Sequence, residues 1–260
     1  MSDLAWADLG GGGPIFVLVH GYTGSSEDFA HVVGPLTEVR RVVLVDQLGH
    51  GNSARRDRYN LRMLSDALIE FIEFEIGEPV DLLGHSMGGR TALPVALERP
   101  DFVRSLILMD TWADPPERDG HAVHFAALLD QADDDAMQAV RTYVEPPSPE
   151  AALIEHRWGA DWVKTHEDHN AHVDPLAVIH LGRDVFGPDI SLLRDAVGLT
   201  MPTTVLRGEF DLALIGPSDR LVSHIPNADL VVIDGAYHSP QLTHPEAWQA
   251  AILHHLERAV

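Results

Sequence analysis

Six short, almost uninterrupted apolar runs recur along the 260-residue chain, at 15–19, 42–45, 80–83, 106–109, 203–206 and 230–233. Valine, leucine and isoleucine dominate them. A strand with one wet face alternates apolar and polar side chains, whereas a strand covered on both faces has no need to. The runs therefore predict a mainly parallel sheet with helices on both faces. Parallel neighbours need long crossovers, and segments of helical character lie between several of the runs. The stretch 27–39 follows two possible N-caps, Ser25 and Ser26. The stretch 61–76 sets Leu61, Leu64, Leu68, Ile69, Ile72 and Ile76 on a helical period, and 245–259 opens with proline at a first-turn position. Such alternation builds right-handed βαβ units.

The alternation breaks between about residues 112 and 198. This stretch is rich in Asp, His and Pro, with Pro115-Pro116 near its start and Pro146-Pro147 in its middle. Helix-like pieces stand at 123–129 and 134–143. Three of the five tryptophans, Trp112, Trp158 and Trp162, fall within it, and a disordered linker would not carry so many aromatics. The expected organisation is a core of 1–111 and 199–260 with a mostly helical cap inserted at 112–198.

Charge and composition exclude several function classes. Acidic side chains number 40 against 18 basic, a formal charge of −22. Nucleic acid and anionic membrane both call for a basic face, so neither is an expected partner. There are no cysteines, which excludes disulfides, a thiol nucleophile and Cys-ligated zinc or iron–sulfur sites. No run approaches the roughly 18 apolar residues of a membrane span. The first thirteen residues lack the basic segment and apolar stretch of a secretion signal. A cytoplasmic protein acting on a small molecule is expected, with the oligomeric state left open.

The sharpest local feature is Gly84-His85-Ser86-Met87-Gly88, followed by Gly89, directly after the run 80–83 and before a helix-compatible stretch. This is the strand–turn–helix context of a Gly-x-Ser-x-Gly nucleophile turn. The serine of such a turn sits on a tight, strained bend, and the glycines on either side supply room for it. The N-terminus of the following helix favours negative charge at the serine.

On these residues the chain resembles the α/β-hydrolase family, and further motifs follow in the family's order. His20-Gly21-Tyr22 after the first buried run is similar to the family's His-Gly oxyanion loop. Asp46-Gln47-Leu48-Gly49-His50-Gly51-Asn52-Ser53 resembles its Asp-x-x-Gly-His-Gly-x-Ser loop. Gly208-Glu209-Phe210-Asp211 resembles the segment that brings the acid, and Gly235-Ala236-Tyr237-His238 the loop that brings the histidine. The resemblance spans about 14–111 and 199–258 and implies an α/β-hydrolase fold with a Ser86, Asp211, His238 triad. Serine is a poor nucleophile without a base. His238 would take its proton and Asp211 would orient the imidazole. Asp110, after the run 106–109, is a rival for the acid. The resemblance also places the oxyanion donors on the backbone N–H groups of Tyr22 and Met87.

Several residues depart from the family pattern. Pro94 lies inside the helix expected after Ser86 and predicts a kink or local distortion. Gln47, Tyr237 and Thr243 replace residues common in the family and are candidates to line the pocket. Arg90, one helical turn past Ser86, has two readings: binding a substrate carboxylate, as in the menaquinone-pathway lyase subset, or pairing with one of the many acids. Trp112, Phe125, Trp158, Trp162 and Phe186 suit an apolar lid over the site or the lid's own small core. His166, His169 and His172 invite a metal reading but share a helix face only loosely, so a solvated polar stretch is favoured. His254-His255 reads as surface.

The resemblance implies a serine hydrolase that needs no cofactor or metal, acting on a small to medium carboxylic ester through an acyl-enzyme. One alternative keeps the triad for carbon–carbon cleavage or elimination on a carboxylate-bearing substrate. Another keeps only the pocket, as a ligand receptor.

Overall fold

The computed structural model describes residues 2–114, 148–187 and 190–259. The pieces expected at 123–129 and 134–143, both proline pairs and Phe125 lie outside them. All six apolar runs form strands: β2 (Ile15–Val19), β3 (Arg41–Val45), β4 (Val80–His85), β5 (Val103–Met109), β6 (Thr203–Gly208) and β7 (Ala228–Ile233). A seventh, β1 (Trp6–Asp8), has no apolar run to announce it and pairs antiparallel with β3 at the edge. The order is β1-β3-β2-β4-β5-β6-β7, parallel throughout from β3 to β7. The opposite edge corrects the expectation of double burial. Leu230 and Val232 of β7 stay exposed, β7 being the edge strand of the sheet, with no further strand beside it among the described residues.

Side-chain alternation sends β2 to two cores. Val17 and Val19 join Leu64, Leu68, Phe71, Ala92 and Leu93 on one face. Phe16 and Leu18 join Phe29, Leu36, Trp248, Ile252 and Leu256 on the other. The first face is covered by α2 (Leu61–Glu70), which continues as a wider turn through Phe71–Ile76, and by α3 (Met87–Glu98). Asn60 caps α2 by accepting from Met63 N at 2.8 Å. The predicted kink is not a break: α3 runs continuously through Pro94. The stretch 27–39 is not one helix but α1 (Glu27–Ala30) and a tight turn at Gly34–Glu38. The chain turns at His31 and restarts at Gly34-Pro35, and Ser26 makes no side-chain cap bond.

Among the described residues between β5 and β6 are α4 (Pro149–Trp158), α5 (Ala160–Asn170) and α6 (Pro175–Phe186). Ser148 and Asp174 cap α4 and α6 through their side chains, each ahead of a first-turn proline. A short α7 (Leu193–Ala196) leads to β6. After β6 come α8 (Ile215–His224), and after β7 α9 (Pro240–Thr243) and α10 (Pro245–Arg258). α6 carries Val178 and Leu181 into the first core. α4 lies on α9, where Trp158 Nε1 donates to Leu242 O at 2.8 Å. His255, expected at the surface, is buried because that side of α10 meets the sheet, with its Nδ1 2.8 Å from Thr204 Oγ1. No described helix is long and apolar enough to cross a membrane.

Candidate active site

The strand order reverses between β2 and β4, whose chain continuations diverge to opposite sides of the sheet. Open α/β sheets form a crevice at the carboxyl ends of such strands. Here that crevice receives Gly21 after β2 and Ser86 after β4. A Cβ on Gly21 would lie 3.1 Å from Ser86 Cβ, so the two loops are in close apposition.

Ser86 adopts φ +54°, ψ −118°, a backbone state that few non-glycine residues occupy. Neighbouring strand ends hold it there. Its N–H donates to Met109 O at 2.9 Å, and its carbonyl accepts from Thr111 Oγ1 at 2.6 Å and from Gly89 N at 2.9 Å. The flanking glycines are sterically required, since a Cβ at Gly84 would meet Gly88 O at 2.3 Å and one at Gly88 the Val19 and His20 carbonyls at 2.5 Å.

His238 arrives on the loop after β7 and Asp211 on the loop after β6. The two loops are pressed together at Gly208, where a Cβ would lie 2.0 Å from Tyr237 O. His238 Nδ1 is 2.6 Å from Asp211 Oδ2 and its Nε2 is 3.0 Å from Ser86 Oγ. Asp211 accepts from the ring, so Nδ1 carries the proton and Nε2 is left to accept from the serine hydroxyl. Burial disfavours the imidazolium, but the Asp211 charge and hydrogen bond outweigh it and raise the His238 pKa above the ordinary histidine value. Burial likewise opposes the Asp211 carboxylate, and His238 prevails to lower its pKa.

Asp110 comes to the same place. It is fully buried at φ +44°, its Oδ1 accepts from Gly208 N at 2.9 Å, and it lies against Asp211 rather than against the imidazole bond. His85 packs its ring 5.0 Å from that of His238, with Nε2 2.8 Å from His238 O. Burial first, and the neighbouring His238 second, lower its pKa to about 4, so it is a neutral donor that steadies the His238 loop.

The expected oxyanion donors flank Ser86 in sequence and space. Met87 is the first residue of α3, and Tyr22 follows Gly21. Among the described residues neither N–H donates to a protein acceptor. Tyr22 spends its hydroxyl on Val178 O at 2.6 Å and lays its ring edge-on to Phe186.

These groups open on one cavity of about 500 Å³. Its apolar walls include Tyr22, Trp112, Val185, Phe186, Leu214 and Leu242, and its polar ones include Asp28, Glu150, His166, Asn170 and Gln241. No lysine or arginine lines it among the described residues. Four residues expected at the substrate stand outside. Arg90 is buried and donates to Ala113 O at 3.3 Å and Ile190 O at 3.1 Å. Trp158 and Trp162 stack on each other at 4.9 Å, and Tyr237 packs against Phe210 at 5.2 Å. Gln47 is also off the cavity, bridging His20 O at 2.7 Å and Thr91 Oγ1 at 2.7 Å. Thr243 turns back to Ser239 O.

Two lining groups escaped sequence reading because they pair across the chain. His166, expected in a solvated stretch, reaches Asp28 Oδ1 at 3.0 Å, and Asn170 bonds both Asp28 and Ser25. This ties α5 to α1 at the rim. Glu150 accepts from Ser239 N at 2.5 Å, and burial raises its pKa. Neither pairing has a local sequence signal.

Comparison with known proteins agrees with this architecture. The α/β-hydrolase fold family matches residues 14–245. A putative carbamate hydrolase RutD of Stutzerimonas stutzeri is 25% identical, the alignment covering 94% of this chain and 91% of the relative. Among solved structures, the enol-lactonase from Burkholderia xenovorans superposes with a TM-score of 0.84 at 22% identity, covering 98% of this chain and 96% of that one. MenH from S. aureus superposes with a TM-score of 0.80 at 20% identity, covering 98% of each chain. A sheet of this order, a strained serine after its central strand and a family match over most of the length together establish that the chain belongs to the α/β-hydrolase fold family.

Proposed function

We propose that the protein is a serine hydrolase that cleaves a small to medium carboxylic ester through an acyl-enzyme on Ser86. The observation that carries this reading is the continuous Asp211–His238–Ser86 hydrogen-bond chain, at 2.6 and 3.0 Å, opening on a mostly apolar cavity. His238 Nε2 takes the Ser86 proton as Oγ attacks the ester carbonyl. Negative charge develops on the carbonyl oxygen, where the Tyr22 and Met87 N–H groups would receive it. Collapse breaks the bond to the alkoxy oxygen, and His238 returns the proton to the departing alcohol. A water then attacks the acyl carbonyl, giving its proton to His238, and the acid leaves as Ser86 is re-formed. Asp211 keeps the imidazole in the tautomer that accepts from serine.

The substrate reading follows the walls. A cavity of about 500 Å³ faced by Trp112, Phe186 and Leu242 fits a neutral, largely apolar acyl or alcohol group. The described lining offers no lysine or arginine to a carboxylate, and Arg90 is engaged elsewhere, so the ester is favoured over carbon–carbon cleavage or elimination on an acid. The described helices α4, α5 and α6 serve as cap elements, lining the cavity through Glu150, through His166 and Asn170, and through Val185 and Phe186. The relative's name adds carbamates, which share the acyl-transfer chemistry, to the substrates worth assaying. Initial rates on nitrophenyl esters and carbamates of increasing chain length, beside Ser86→Ala, test the proposal. Turnover abolished by Ser86→Ala is expected, and a folded protein that turns over none of them overturns it.

A further inference from the structure

β5 and β6 are adjacent and parallel, with Met109 opposite Leu206, so each delivers an acid to the same end of the sheet. Asp211 follows β6 and holds His238. Asp110 follows β5 and stands behind Asp211, away from solvent. One carboxyl oxygen of each, together with a ring nitrogen of His238, lies within 4.8 Å of the other two. The Asp110 oxygens are used unequally. Oδ1 accepts from Gly208 N at 2.9 Å, while Oδ2 is fully buried and has no donor. An acceptor left so in an ionised carboxylate costs the full desolvation of a charge, and two facing carboxylates repel. A single proton on Oδ2 removes both costs, because it turns the orphaned acceptor into a donor to Asp211.

We propose that Asp110 is protonated and donates a hydrogen bond through Oδ2 to the Asp211 carboxylate, as a positioning residue one step behind the triad. The proposal rests on the reading of Ser86, His238 and Asp211 as the hydrolytic triad. Burial and the Asp211 charge both push the Asp110 pKa well above the usual carboxylate range, in keeping with the geometry. The Asp110 donor restrains the Asp211 carboxyl, which is otherwise bonded to His238, and drains charge from it, so it also limits how far Asp211 stabilises the imidazolium. The other groups facing this cluster are His85 and Glu150 around His238, and Arg207, whose guanidinium bonds Gly208 O.

Asparagine reproduces a protonated aspartic acid at this position, since its Oδ1 can accept from Gly208 N and its amide can donate to Asp211. It also tolerates the positive φ. The test compares pH profiles of kcat/KM on a nitrophenyl ester for wild type, Asp110→Asn and Asp110→Ala. It adds infrared spectra of the resting proteins near neutral pH. Asp110→Asn is expected to hold kcat/KM within about threefold and leave the acid limb in place, whereas Asp110→Ala moves that limb upward by on the order of half a pH unit. A protonated-carboxyl band present in wild type and missing from Asp110→Asn is the matching spectroscopic result, and it needs no turnover. If Asp110→Ala does not fold, Asp110→Asn and the spectra decide. A limb that falls in Asp110→Asn, a folded but inactive Asp110→Asn, an unmoved limb in Asp110→Ala, or no carboxyl band overturns the proposal. Loss of all ester turnover in wild type with the band intact would instead overturn the hydrolase reading.

Discussion

Gly84→Ala puts the smallest added side chain at the point where the nucleophile turn is tightest. The new Cβ would lie 2.3 Å from Gly88 O, 2.6 Å from Gly88 C and 2.7 Å from Gly89 Cα, all backbone atoms of the first turn of α3. Real Cβ atoms essentially never come closer than 3.0 Å, so the gap must open by roughly 0.7 Å. No flexible side chain is present to give way. Gly88 is itself packed on the Val19 and His20 carbonyls, so the strain passes along the turn to Ser86 and Met87. A misplacement of about 1 Å in a reacting constellation can cost on the order of 10²-fold. Gly84→Ala should therefore lower kcat/KM by about that factor, with overpacking taking about 1–3 kcal/mol from stability. The assay is ester hydrolysis beside urea denaturation, with Gly34→Ala as control. No atom lies within 4 Å of a Cβ there, and the change should stay within about 0.5 kcal/mol. A Gly84→Ala enzyme with wild-type rate and stability would refute the claim that this turn fixes the nucleophile.

Three further outcomes follow from the same structure. His238 must be neutral to accept the Ser86 proton, and Asp211 raises its pKa, so the acid limb of kcat/KM should lie above the ~6.5 of a free imidazole; a limb below that value in a pH–rate profile contradicts the pairing. Asp81 is fully buried, bonding Arg40 Nε at 2.7 Å and Ser105 Oγ at 2.7 Å. Asp81→Ala strands the Arg40 charge and should cost about 3–5 kcal/mol in urea denaturation while leaving kcat/KM of the folded enzyme unchanged. Phe186→Ala opens the cavity wall beside Tyr22 and should move the preferred acyl length toward longer chains, as read from rates across an ester series.

The sheet was legible because doubly covered strands leave an unmistakable apolar run, and the elbow because glycine alone fits two positions beside the serine. The edges were less so. β1 is three residues with an exposed tryptophan, and β7 carries the apolar pattern of a buried strand while Leu230 and Val232 face outward. Local reading joined 27–39 into one helix although the chain turns at His31. The site shows the same division. Ser86, Asp211 and His238 each follow a readable strand, so their order and placement could be anticipated. The cavity walls could not, because they are set by pairings distant in sequence. His166 is held by Asp28, Glu150 by Ser239, and Trp158 is drawn to α9 instead of to the substrate. The choice between Asp110 and Asp211 was a question of distance, and the structure brings both acids together with only one on the imidazole.

Acylation of Ser86 can be read from intact-protein mass spectrometry of an acid-quenched reaction with a nitrophenyl ester. A stoichiometric adduct of one acyl group is expected, mapped to the peptide carrying Ser86 and absent from Ser86→Ala. Turnover without any adduct on a slowly deacylating ester, or an adduct that persists in Ser86→Ala, would contradict it.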